Sequence, residues 1–113
     1  MVKPEVFPLD EISPDRILYD INGNTNAIPI HAPASPIELK KFPPPFSLYR
    51  KSFESVWTSL RYGDSYLTNL TIRTRIETPL SLHDLFFSSH AKYKVWYDNQ
   101  FLVFSPETFV RIE

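Results

Sequence analysis

GDSYLTNLT, residues 63–71, decides how this chain reads. Gly63 and Asp64 close the element before them, and a β-prone run begins. From Tyr66 to Ile76 the residues alternate. Tyr66, Thr68, Leu70, Ile72, Thr74 and Ile76 make one face, and Leu67, Asn69, Thr71, Arg73 and Arg75 the other. That period of two, with its β-branched content, predicts one long strand. Asn69 falls on the more polar face, where a buried amide satisfied within a sheet is the plainer reading than direct ligand contact.

Upstream, Tyr49, Phe53, Val56, Trp57 and Leu60 recur at helical spacing and form one apolar stripe, predicting a helix over Leu48–Tyr62. Ser47 is the expected N-cap and Gly63 the residue just past the C-terminal end. Before the helix lies IPIHAPASPIELKKFPPPF, residues 28–46, with six of the chain's eleven prolines between Pro29 and Pro45. Proline fixes φ and donates no hydrogen bond, so this reads as an extended spacer. FPPPF would also suit an aromatic-lined groove. Earlier still, DRILYDINGNTN, residues 15–26, predicts a short strand and an Asn-Gly turn.

Downstream, Ser81 followed by Asp84 reads as a capping-box variant opening a helix over Leu82–Ser89, with Leu80 placed to pack on Leu85. KYKVWY, a turn at Asp98–Asn99, and QFLVF read as a hairpin. SPE breaks its second strand, and TFVRI begins another. The order of elements is an α+β pattern. Residues 1–113 read as a single, partial domain: 1–27 a strand and turn region, 28–47 the connector, 48–113 a helix–strand–helix–hairpin unit. The strands would need more sheet neighbours than this sequence supplies, so open sheet edges would favour self-association.

The chemical inventory is thin. With 12 basic and 13 acidic residues the net charge is -1, giving no global attraction to nucleic acid or an anionic membrane. The absence of cysteine excludes disulfides, thiolate metal sites and thiol nucleophiles. His31, His83 and His90 are not at metal-ligand spacing, and surface or capping roles suit them. Two glycines cannot build a glycine-rich phosphate loop. The first ten residues carry no apolar signal core, and no apolar run approaches a membrane span. A cytoplasmic chain with no catalytic, cofactor or metal residues of its own is the expectation from the residues alone.

Three separated motifs add a resemblance. ILYDINGNTN, YRKSFESVWTSLRYGDSYLTNLT and FLVFSPETFVRIE, in this order and spacing, resemble the chorismate-utilising enzymes. The resemblance is nearest to component I of aminodeoxychorismate synthase, the para-aminobenzoate branch, with anthranilate synthase component I the near relative. It covers roughly residues 15–113. Gly63, Asp64, Tyr66, Asn69, Leu70 and Thr71 match the family's GDxYQVNLT, with Leu67 and Thr68 departing from it. Ser105, Pro106, Glu107 and Phe109 match its SPExF.

The resemblance implies the family's mixed sheet-and-helix fold. It implies addition of ammonia, delivered by a glutamine amidotransferase subunit or domain, to chorismate in folate biosynthesis. Asp64, Tyr66, Asn69, Thr71, Ser105 and Glu107 become scaffold positions around such a site. The family's N-P-x-P-Y segment, which lines an aromatic-ligand pocket, falls at Lys92 and Tyr93, where only Tyr93 matches by type. Trp57, Tyr66, Tyr93 and Trp96 could cluster around such a ligand or simply form core. The family's P-[IM]-K-G-T motif and its Mg2+ ligands have no counterpart here. The resemblance is thus to an amino-group transferase whose catalytic part this sequence does not include. The chain reads as an N-terminal fragment inactive alone, or as a stand-alone binding or dimerisation module.

Overall fold

A computed structural model describes residues 3–29, 36–105 and 112. The chain divides into two compact units, one made of Met1–Glu38 with Pro79–Glu113, the other of Leu39–Thr78. Among the described residues there are two α-helices and two antiparallel sheets, a small mixed α+β protein.

The first unit is built on a four-stranded sheet of β1 (Ile17–Ile21), β2 (Asn24–Thr25), β5 (Tyr93–Tyr97) and β6 (Phe101–Ser105), in the order β2-β1-β5-β6. The Asn-Gly turn forms as the sequence dictates, with Asn22 at φ 53 and Gly23 at φ 90. Both take the left-handed conformation that a tight hairpin requires and that Asn and Gly tolerate. The second hairpin turns at Asp98 and Asn99, also at positive φ, closed by Gln100 N–H on the Tyr97 carbonyl at 2.7 Å.

β2 is short because side chains take over its pairing. Asn26 accepts from Tyr19 N–H at 3.0 Å and donates Nδ2 to the Ile17 carbonyl at 2.8 Å. Thr25 Oγ1 donates to the Tyr19 carbonyl at 2.5 Å and accepts from Ala27 N–H at 3.0 Å. One amide thus mimics a neighbouring strand. Asn26→Ala leaves a donor and an acceptor of β1 without protein partners and is expected to cost about 1.5–3 kcal/mol. Urea unfolding measures it; a loss under about 0.5 kcal/mol would mean that water replaces the amide without penalty.

Register decides which side chains share a face. Leu18 lies opposite Trp96, and Trp96 opposite Leu102. This row is covered by α2 (Leu82–Ser88), whose Phe86 completes a core with Leu18 and Trp96, flanked by Leu82, Phe87 and Leu102. α2 opens on the capping box read from the sequence. Ser81 Oγ accepts from Asp84 N–H at 3.0 Å, and the Asp84 carboxylate accepts from Ser81 N–H at 3.0 Å. The Ser81 hydroxyl and N–H hydrogen bonds hold the Asp84 carboxyl below its usual range. The opposite face carries the rows Ile17–Tyr97–Phe101, Tyr19–Val95–Val103 and Ile21–Tyr93–Ser105. Apolar side chains therefore line both faces of the sheet.

The second unit holds α1 (Phe46–Tyr62) and a two-stranded ladder of β3 (Lys40–Phe42) with β4 (Arg75–Glu77). Three sequence expectations are corrected here. The long strand over Tyr66–Ile76 is absent: residues 66–74 are irregular and only Arg75–Glu77 pairs. A strand exists only where a partner takes its backbone groups, and β3 offers three residues. β3 itself lies within the stretch read as a plain proline spacer; residues 30–35 of that stretch, His31 among them, lie outside the described residues. The helix starts at Phe46 with Pro45 in the N-cap position and no side-chain cap, so Ser47 sits inside it. Pro45, at φ -55, leads straight into the helix, and its carbonyl accepts from Leu48 N–H at 3.0 Å.

The C-terminal end of α1 is as expected. Gly63 takes φ 84, its N–H bonds the Leu60 carbonyl at 3.2 Å, and Asp64 N–H bonds the Ser59 carbonyl at 3.0 Å. This is the Schellman arrangement. The strand expected in TFVRI lies outside the described residues apart from Ile112.

Candidate functional site

The first unit carries a groove of about 190 Å³ where residues 5–13 run past the start of β1 and the end of β5. Glu5 and Glu11 supply carboxylates, Arg16 a guanidinium, and Phe7, Ile17 and Tyr97 apolar walls. A short 3-10 turn, Leu9–Glu11, places Glu11 there. No histidine is among the residues that line the groove.

Among the described residues of this unit the buried charged side chain is Lys94. It stands opposite Asp20 across the β1–β5 ladder. Its ammonium donates to the Phe86 carbonyl at 2.6 Å and the Ser89 carbonyl at 3.0 Å, and lies 4.6 Å from the Phe86 ring centroid. Burial lowers its pKa below the ordinary lysine value, and Asp20 opposes that shift. A lowered lysine in a cleft would be a candidate nucleophile. Here the ammonium is spent on the C-terminal carbonyls of α2, which makes it a structural clasp. The alternation of KYKVWY marked Lys94 as inward-facing, the one signal that could have found it.

In the second unit, Phe42 lies between Lys40 Nζ at 5.0 Å and the Arg75 guanidinium at 5.1 Å. Arg75 also pairs with Glu77. An open depression of about 480 Å³ adjoins them, lined by Phe42, Pro44, Arg73, Thr74 and Arg75. It is a cationic surface of the kind that suits anions.

The residues singled out from sequence are not gathered into one place. Asp64, Asn69 and Thr71 are exposed on the irregular run after α1, and Tyr66 is 96% exposed. The reading of Asn69 as a buried amide inside a sheet is therefore corrected. Ser105 ends β6, and Glu107 lies outside the described residues. Lys92 Nζ stands 5.9 Å from the Tyr93 ring centroid. Trp96 is core, with the His83 ring edge-on to it at 5.2 Å, so His83 packs as an aromatic rather than serving the surface or a cap. Among the described residues no three His, Asp or Glu converge as metal ligands. No helix among them is long and apolar enough to cross a membrane.

Comparison with known proteins gives two relatives that align along nearly the whole chain. An uncharacterized PabA-like protein of Haemophilus influenzae is 42% identical over 110 residues, covering 97% of this chain and 33% of its own length. An uncharacterized PabA-like protein of Pasteurella multocida is 37% identical over 111 residues, covering 97% of this chain and 34% of its own. The chain thus spans about a third of the length of the curated relatives it matches. Their names suggest a relation to the para-aminobenzoate synthase family, in which PabA is the glutamine amidotransferase component and not component I. No protein-family model and no solved structure matches the chain.

Proposed function

We propose that this chain is a scaffold portion of a cytosolic para-aminobenzoate-type synthase. The parent reaction would be that of component I: ammonia adds to chorismate, the ring hydroxyl leaves as water, and 4-amino-4-deoxychorismate enters folate synthesis. The observation that carries this is the ordered set of motifs from ILYDINGNTN through GDSYLTNLT to FLVFSPETF. The relatives' names support the same biosynthetic area.

The name PabA favours a glutamine amidotransferase instead. Hydrolysis of glutamine through a thioester needs a cysteine nucleophile, and this chain has no cysteine. On this reading the cysteine that glutamine hydrolysis needs, the Mg2+ ligands and the groups that move protons would be supplied from outside these 113 residues; Asp64, Tyr66, Asn69 and Thr71 stand exposed and apart from any metal-ligand cluster among the described residues. What these residues supply is shape.

The test is a chimera. The aligned 110 residues of the Haemophilus relative are replaced by this chain, and chorismate consumption is followed with ammonia and Mg2+. Turnover by the relative and by the chimera, with none from this chain alone, is the expected pattern. A relative that leaves chorismate untouched, or glutamine hydrolysis by this chain, overturns the reading.

A further inference from the structure

The two units differ sharply in charge. Leu39–Thr78 carries seven Lys and Arg against three Asp and Glu, a formal net of +4; the remainder carries five against ten, a net of -5. The near-neutral total conceals this division.

Each unit also presents an apolar surface. On α1, Phe46, Tyr49, Phe53, Val56 and Leu60 recur at alternating spacings of three and four, with Trp57 beside them. The rings of Phe46, Tyr49, Phe53 and Trp57 form a ladder with successive centroids 6.2, 6.3 and 6.4 Å apart. No residue of α1 is buried, and within its unit the helix packs on neither β3 nor β4. Phe53 and Trp57 are about half exposed, and Arg50, Lys51 and Arg61 outnumber Glu54 around them. In the first unit, the sheet face opposite α2 leaves Phe101 48% and Val103 51% exposed.

We propose that the α1 stripe of one copy docks on this sheet face of a second copy, in a head-to-tail contact. The net charges of +4 and -5 select this pairing. Stripe-on-stripe or sheet-on-sheet contact would set two basic units, or two acidic units, against each other, and like charges across an interface oppose association. The pairing brings an aromatic ladder onto the part of the sheet face that Phe101 and Val103 leave exposed, beside the buried Tyr19. Four aromatic side chains, each worth about 150–250 Å² when fully buried and already half covered, give an interface of roughly 800 Å² over both sides. That is below the roughly 1,200 Å² of stable complexes, so the association is weak, concentration-dependent and sensitive to salt. A head-to-tail contact that does not close on itself leaves a free stripe and a free sheet face at its ends, and assembly then continues past the dimer. The inference does not rest on the chorismate reading.

Sedimentation equilibrium tests it on this 113-residue chain, whose monomer is 13.2 kDa. The weight-average mass is expected to rise continuously with concentration, and the association constant to fall several-fold on raising NaCl from about 50 to about 500 mM. Phe53→Glu blocks the stripe and Val103→Lys blocks the sheet face. Each variant alone is expected to stay monomeric, and an equimolar mixture to form a 1:1 heterodimer and nothing larger. Trp57→Gln and Phe101→Gln form a second pair should circular dichroism show either first variant misfolded. A wild-type chain that stays monomeric to about 0.5 mM overturns the proposal. So does self-association of either variant alone, which would indicate stripe-on-stripe or sheet-on-sheet pairing, or capping by another segment.

Discussion

Phe86→Ala is expected to unfold the first unit. Phe86 is 1% exposed and sits at the centre of the core with Leu18 and Trp96. Its ring meets Phe87 edge-on at 5.2 Å and takes the Lys94 ammonium on its face. Truncating a buried phenylalanine costs about 3–5 kcal/mol, from lost transfer energy and the cavity left behind. Small domains have about 5–15 kcal/mol of stability in total. Among the described residues four hydrophobic side chains are buried, so there is little core into which the cavity can collapse. Loss of the near-ultraviolet signal of Trp96 at 25 °C is the expected readout. Phe53→Ala is the control: the same side chain, on α1, is 47% exposed, and its loss should cost under about 1 kcal/mol. Equal effects from the two substitutions would mean that the core does not lie where the structure puts it.

The contrast between Phe86 and Phe53 also separates what the sequence discloses from what it does not. The Asn-Gly turn, Gly63 beyond α1, the Ser81–Asp84 box and the Asp98–Asn99 hairpin were all legible. Each is decided by a few adjacent residues whose backbone groups find partners within one turn. The periodicity of α1 was legible too, but amphipathic spacing says which face is apolar and not what covers it. GDSYLTNLT failed for the complementary reason. Its alternation fits a strand, yet strand formation depends on a partner far away in sequence, and the available partner is the short LKKF segment among prolines. The expected scaffold residues Asp64, Tyr66, Asn69 and Thr71 share that fate, because their placement hung on the strand. Asn26 was missed because side-chain mimicry of a strand has no periodic signature. The charge division between the units was invisible in a net charge of -1 and emerges only once the boundaries at Leu39 and Thr78 are known.

Lys94 is where local chemistry and pH meet. Lys94→Met keeps the length of the side chain and its apolar contacts but takes the ammonium from the Ser89 carbonyl and one of two donors from the Phe86 carbonyl, which still accepts from Ser89 Oγ at 3.0 Å. An unsatisfied buried carbonyl costs about 1–3 kcal/mol. Removing the charge returns part of this, because burial disfavours the ammonium more than Asp20 favours it. A net loss of about 1 kcal/mol at pH 7 is therefore expected. The pH dependence carries a definite sign. The folded pKa of Lys94 lies below its unfolded value, so between the two the unfolded chain binds more protons and stability rises with pH. Below the folded pKa both states are protonated and this slope vanishes. The wild type should thus gain stability relative to Lys94→Met as pH climbs towards the ordinary lysine range, near 10.4. Urea unfolding of the pair at pH 7, 8.5 and 9.5 measures the gap directly. A gap that narrows towards alkaline pH would mean that Asp20 dominates and that the ammonium is held as half of an ion pair rather than as a desolvated clasp on α2.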